Sequence, residues 1–229
     1  MSSSERLRQT AASIGGGRGI FNEDALYHEV GMQESVSKLI SILETEYPNE
    51  KFLWKKIITK REIAAKVNPK VPYNPEAENS FVSPDGGVLF VEYGGEKYQY
   101  HHPKYLPILI SEAKKQGTNI KRLHEGLKKQ SKGNAIERAF KNIEEFKLYC
   151  EDLDYFPYVI FACGCDFESG SSILDRLDAM TRYEPRNVNY VADMPQKVTA
   201  YVQEEYFTAN EMFDRIYDVA KTSMRCIGV

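Results

Sequence analysis

The sequence predicts an α/β protein with a mixed central β-sheet flanked by helices, and three observations predict it. The apolar run Tyr105-Leu-Pro-Ile-Leu-Ile110 reads as a strand entering a core. Phe156-Pro-Tyr-Val-Ile-Phe161 is nearly all apolar and reads as a strand covered on both faces. Between them, Asn134 to Leu153 carries Ile136, Phe140, Ile143, Phe146 and Cys150 on one stripe, the pattern of an amphipathic helix. Strands alternating with helices point to a layered α/β sheet.

The remaining elements follow in chain order. Gln33 to Tyr47 has apolar residues at helical spacing and ends before Pro48. Lys51 to Ile58 reads as a strand or an entry to a short helix. Pro69, Pro72 and Pro75 mark irregular chain. Phe81 to Glu92 is a turn followed by a strand. Gly94-Gly95 predicts a hairpin turn, with Glu96 to Tyr100 as the returning strand. Leu106 to Lys114 is the next strand, with Pro107 near its start, where a missing N–H is tolerated. Ser171 to Thr181 is a short helix. Thr208 to Met224 is the last one, with Thr208 and Glu211 placed for a capping box.

The chain has 229 residues, 42% hydrophobic and 28% charged, which fits one large globular domain. Residues 1–18 read as a polar arm and 19–229 as a single domain holding both catalytic and recognition elements. No run approaches the roughly 20 apolar residues of a membrane helix. The four cysteines show no zinc spacing and read as reduced thiols of a cytoplasmic protein. A net charge of −3 argues against a protein that coats nucleic acid. Yet Lys114 to Lys141 holds nine basic side chains against two acidic ones, a local charge of +7. Such a stripe suits phosphate contact, and it equally suits a solvated helical face.

Two motifs carry chemistry. Asp85 lies in Ser83-Pro-Asp-Gly-Gly87, where it could be a plain turn aspartate. Glu112-Ala113-Lys114 ends the buried strand, and residues two apart share a face, so a carboxylate and an ammonium stand side by side. Asp85 and Glu112 brought together would repel unless a cation lay between them, and hard oxygen ligands select Mg²⁺. Pro-Asp followed by Glu-X-Lys is the PD-(D/E)XK nuclease pattern. The second motif, Gly133-Asn-Ala-Ile-Glu-Arg138, opens the long helix. Asn134 and Glu137 form a capping box by spacing, and Asn, Glu and Arg are also the side chains that read base edges in a major groove.

Taken in order, PDGG, SEAKKQG and GNAIERAFKN resemble the EcoRI-like type II restriction endonucleases. The likeness extends to Gly19-Ile-Phe21, Glu34 to Leu39, Glu46-Tyr-Pro48, Phe156 to Val159, Leu174 to Asp178 and Thr222 to Arg225, so it covers roughly Gly19 to Gly228. The smaller relative MunI resembles this chain mainly in the Gly133 to Arg138 segment. The resemblance implies the restriction-endonuclease-like fold and a homodimer that cuts a palindromic DNA duplex with an AATT core. The products would have 5′ AATT overhangs, 5′-phosphates and 3′-hydroxyls. It implies that Asp85, Glu112 and the carbonyl of Ala113 hold Mg²⁺, with Mn²⁺ able to substitute, and that Lys114 positions the attacking water. It assigns Gly133, Asn134, Ala135, Glu137 and Arg138 to reading AATT, and Arg176 to DNA contact. A prokaryotic cytoplasm is the expected location.

The chain also departs from the pattern. Twenty-six residues separate Asp85 from Glu112, a longer gap than the family's, and the loop before Gly133 is shorter. Ala179 stands where a second arginine follows the one matched by Arg176, and Ser83 replaces a lysine. These changes imply looser reading, or none, of the outer base pair, with Arg182 or Arg186 as candidates to compensate. A repair nuclease of the same fold that reads DNA structure, and an inactive DNA-binding relative, are the alternatives. The Asn134-Ala-Ile-Glu-Arg138 segment argues against the first and the intact Asp85, Glu112 and Lys114 set against the second.

Overall fold

The apolar run after Tyr105 becomes the centre of a five-stranded sheet. A computed structural model describes residues 18–67, 80–98, 105–115, 126, 134–164, 167, 171–182, 184–192 and 196–229. In chain order the elements are α1 (Arg18–Glu46), β1 (Phe52–Lys55), β2 (Ile58–Thr59), α2 (Lys60–Val67), β3 (Phe81–Val82), β4 (Gly87–Glu92), β5 (Tyr105–Lys115), α3 (Asn134–Tyr149), β6 (Tyr158–Cys163), α4 (Ser172–Met180), β7 (Thr199–Gln203) and α5 (Ala209–Ile227).

The main sheet has the order β1-β4-β5-β6-β7, and β2 pairs with β3 apart from it. β1, β4 and β5 are antiparallel neighbours, while β5, β6 and β7 run parallel. The sheet is therefore mixed, as the sequence predicts. Parallel neighbours need a crossover, and α3 and α4 lie in the β5–β6 and β6–β7 connections.

Strand alternation divides β5 between two layers. Ile110, Glu112 and Lys114 share a face with Tyr158, whose ring packs on Phe146 of α3 at 5.9 Å. Ser111 and Ala113 face the opposite layer, where α1 and α5 pack on each other and on the sheet. Gly31 sits inside α1 because α5 comes close there: a Cβ on it would lie 3.0 Å from the Met212 methyl. Ser35 donates to the Ala209 carbonyl at 2.7 Å, fixing the same crossing.

Three sequence readings need correction. α1 begins at Arg18, far ahead of the expected start at Gln33; of the expected arm, 1–17 lie outside the described residues. Glu96 to Tyr98 is a turn, not a returning strand, because both edges of β4 are already taken by β1 and β5. The Tyr98 hydroxyl and the Lys97 ammonium instead bond Asp154. Phe140 is 45% exposed, and Ala139 takes its place on the buried stripe with Ile136, Ile143 and Phe146. The helix repeat of 3.6 residues favours that 3-4-3 spacing. β7 has no counterpart in the sequence reading.

The β1 and β4 ends meet tightly at the Ser83–Gly87 turn. Gly87 has φ +78°, and a Cβ there would lie 2.6 Å from Trp54 Nε1 and 2.7 Å from the Lys55 carbonyl. Both the left-handed backbone and the contact demand glycine. Gly87→Ala is expected to cost about 2–4 kcal/mol. Urea denaturation would measure it, and a loss under about 0.5 kcal/mol would rule this reading of the turn out.

Candidate active site

β4 starts at Gly87, opposite Ser111 of β5, so the Pro84-Asp85-Gly86 turn stands at the C-terminal end of β5. That register carries Asp85 to the strand end that bears Glu112 and Lys114. Gly86 N–H donates to the Ser111 carbonyl at 3.0 Å and Gly87 N–H to the Pro84 carbonyl at 3.0 Å, closing the turn. One step further along β5, Ala113 N–H donates to Asp85 Oδ2 at 3.1 Å. In a strand the N–H and C=O of one residue face the same neighbour. The Ala113 carbonyl therefore faces the Asp85 side, past the end of β4.

Lys114 joins the two carboxylates. Its Nζ lies 2.7 Å from Asp85 Oδ2 and 2.5 Å from Glu112 Oε1. Glu112 is fully buried, while Asp85 and Lys114 are mostly buried, with 17% and 16% of their side chains exposed. Tyr158 donates its hydroxyl to Glu112 Oε2 at 3.3 Å, and Asn142 of α3 presents its amide to both oxygens at 3.3 and 3.5 Å. Burial pushes the Glu112 carboxyl up to about 7; Lys114 opposes that rise and Asp85 adds to it. For Lys114, burial works against the charged form, but Glu112 and Asp85 outweigh it and its pKa rises. It is an ammonium.

The donor set suits a hard divalent cation. Two carboxylates converge on one point with a backbone carbonyl on the same edge, and a positive charge already occupies the space between them. Among the described residues no three or more His, Cys, Asp or Glu side chains cluster as a metal site. The set is thus two carboxylates and a carbonyl.

α3 and α4 begin near the same end of the sheet, since they follow β5 and β6. Gly133 and the side chains of Asn134 and Ala135 lie outside the described residues, as does most of the basic stripe, Lys121 to Lys132. Arg138 is exposed. Glu137 and Arg176, from separate motifs, meet: Arg176 Nη1 lies 2.9 Å from Glu137 Oε1, with both side chains largely exposed. Arg186 pairs with Asp178 at 2.9 Å, and Arg182 is exposed at a positive φ of 58°. Lys115 points to the opposite layer from Lys114 and meets Tyr206, its ammonium 4.3 Å from the ring centre. Gln116 lies outside the described residues.

Sequence reasoning did not single out Asn142, Tyr158, Trp54 or Lys56. Trp54 Nε1 donates to the Gly86 carbonyl at 2.9 Å and Lys56 Nζ to the Asp85 carbonyl at 2.7 Å. Ser83, two residues before Asp85, donates its hydroxyl to the Lys56 carbonyl at 3.2 Å. Only Asn142 left a signal, a polar residue beside the apolar stripe of α3.

Comparison with known proteins places these residues in a context. Residues 14–185 match the family described as restriction endonuclease EcoRI. The type II restriction enzyme EcoRI of Escherichia coli is 30% identical over 271 residues, covering 98% of this chain and 94% of that protein. The type II restriction enzyme RsrI of Cereibacter sphaeroides is 28% identical over 255 residues, covering 93% and 90%.

The buried Glu112 charge has a measurable cost. A carboxyl raised from 4.5 to about 7 gives stability that is full below pH 4.5 and lost as pH rises towards 7. Glu112→Gln does not titrate. In metal-free protein the variant should therefore lose less stability than the parent between pH 5 and pH 8. Thermal or urea unfolding at both pH values tests this; an equal loss in the two proteins would overturn it.

Proposed function

This chain belongs to the EcoRI family of restriction endonucleases, and we propose that it is a Mg²⁺-dependent homodimer that cuts a palindromic DNA duplex at an AATT core. Cleavage leaves 5′ AATT overhangs with 5′-phosphate and 3′-hydroxyl ends, in a prokaryotic cytoplasm. The observation that carries the reading is the Lys114 ammonium within 2.7 Å of Asp85 and 2.5 Å of Glu112.

Asp85, Glu112 and the Ala113 carbonyl would hold the cation, and Mn²⁺ would fit the same oxygen set. When bound, Mg²⁺ polarises the scissile phosphate and offsets developing negative charge. Lys114 contributes a fixed donor: its ammonium orients a water towards the phosphorus and balances the excess charge of the two carboxylates. Tyr158 and Asn142 hold Glu112 in one rotamer by engaging its oxygens. The β-sheet edge fixes Asp85 through the Ala113 N–H.

Recognition is assigned to the start of α3 and to α4. Arg138 and Glu137 are exposed there, Arg176 pairs with Glu137, and Gly133, Asn134 and Ala135 complete the segment. Asparagine bonds adenine in two places, arginine suits acceptor edges, and glutamate accepts from amino donors; adenine presents both kinds of edge. A two-fold site calls for a two-fold protein. No helix among the described residues is long and apolar enough to cross a membrane.

Digesting a plasmid with Mg²⁺ and sequencing the fragment ends tests the whole reading; ends without a shared AATT would reject it. Asp85→Asn and Glu112→Gln should each abolish cleavage while keeping specific binding in Ca²⁺. Normal cutting by either variant would remove that residue from the site. Arg138→Ala should lower base discrimination by about 1–3 kcal/mol per half-site. An equal loss on specific and random duplexes, measured by competition binding, would make Arg138 a phosphate contact only.

A further inference from the structure

Asp85 is held on two sides. Its carboxylate is engaged by Ala113 N–H and Lys114, both on β5. Its main chain is engaged from the other direction by the residue that follows β1, since Lys56 Nζ donates to the Asp85 carbonyl at 2.7 Å. The link is reciprocal: Ser83, two residues before Asp85, donates to the Lys56 carbonyl at 3.2 Å. Trp54, two residues before Lys56, donates to the carbonyl of the next turn residue, Gly86, at 2.9 Å.

Packing and these bonds act together. Gly86 is buried against Ser111 and Met32, either of which a Cβ on it would meet. Trp54, Lys56 and Gly86 also line an open cleft of about 330 Å³ with Gln33, Val36, Ser37 and Ile40 of α1, so on that face the Lys56 bond adds to packing in holding the Asp85 carbonyl. Among the described residues β1 is also an edge strand, paired with β4 alone. The Lys56 and Trp54 bonds tie that edge to the turn.

We propose that Lys56 is a positioning residue of the catalytic centre: by holding the Asp85 main-chain carbonyl, it sets the distance between the Asp85 carboxylate and Glu112 and thereby the affinity for the divalent cation. This rests on the reading of Asp85 and Glu112 as metal ligands. The sign of the effect separates it from simple electrostatics. An ammonium near a cation site repels the cation, so deleting its charge alone would tighten binding. Deleting a bond that orients a ligand weakens it, typically by 10–100-fold.

The test is Mn²⁺ binding to the full chain without DNA, followed by electron paramagnetic resonance or calorimetry. Wild type, Lys56→Met, Lys56→Arg and Glu112→Gln are compared, with thermal unfolding to confirm that each folds. Lys56→Gln replaces Lys56→Met if the latter does not fold. Lys56→Met should bind Mn²⁺ about 10-fold more weakly, and Lys56→Arg within about 2-fold of wild type. In DNA cleavage, Lys56→Met should need correspondingly more Mg²⁺ for half-maximal rate. Unchanged or tighter Mn²⁺ binding by Lys56→Met overturns the proposal, as does lost DNA affinity with Mn²⁺ affinity intact. If wild type and Glu112→Gln bind Mn²⁺ equally, the metal-site reading itself fails. If they differ while Lys56→Met matches wild type, only the role of Lys56 fails.

Discussion

The constraint on which the site depends is a carboxylate in a fully buried position. Glu112 lies at 0% exposure on the central strand, where an unpaired charge would cost several kcal/mol. Lys114 supplies the opposite charge from the same face of the same strand, so the pairing needs no loop to be ordered first. Asp85 then completes a carboxylate–ammonium–carboxylate line. Burial is the main cause of the raised Glu112 pKa; Lys114 opposes that rise and Asp85 adds to it. On the proposed reading, a divalent cation would offset the excess negative charge. Stability would then be given up locally where charge serves chemistry.

The sheet delivers this arrangement through register. β4 starts opposite Ser111, which leaves Ala113 unpaired by β4 and free to donate to Asp85. A slip of one residue would turn Glu112 and Lys114 to the layer of α1 and α5. The register is held by the Gly86 and Gly87 turn at one end and by a bulge near Pro107 at the other, where β5 has an extra residue opposite Leu89 and Phe90. Pro107 cannot donate to a ladder, and its carbonyl is taken by the Tyr155 hydroxyl at 3.0 Å.

Which of these features the sequence disclosed follows from the range of the interactions. Alternation alone places Glu112 and Lys114 on one face, because two residues on a strand need no tertiary information. The Thr208 and Glu211 capping box is equally local and forms as its spacing predicts, although the helix runs past the expected end at Met224 to Ile227. Apart from Phe140, a slip within one helix repeat, the misreadings concern contacts distant in sequence. The expected start at Gln33 fell short because α1 runs on through Gly31, where α5 supplies the packing surface. Glu96 to Tyr98 lost its strand to a β4 whose edges were already filled. β7 is a five-residue strand that only β6 defines. Lys56 and Trp54 act on residues 29 and 32 positions away, a distance at which no spacing rule operates.

The two halves of the proposed site differ in how firmly they are set, and the difference follows from burial. Lys114 sits between carboxylates that are nearly shut from water, where breaking a pair costs about 3–5 kcal/mol. The Glu137–Arg176 pair is largely exposed, and such pairs are worth about 0–1 kcal/mol. Arg176 and Glu137 are therefore held near one another at almost no energetic cost to release. A partner that offers each of them a better hydrogen bond can separate the pair, whereas burial resists separation of Asp85, Lys114 and Glu112. If α3 and α4 read bases, a mismatched duplex would leave the pair in place and forgo those bonds, while the buried carboxylates would be equally ready in both cases. Discrimination would then arise from the exposed helix ends, and the buried strand end would supply the rate.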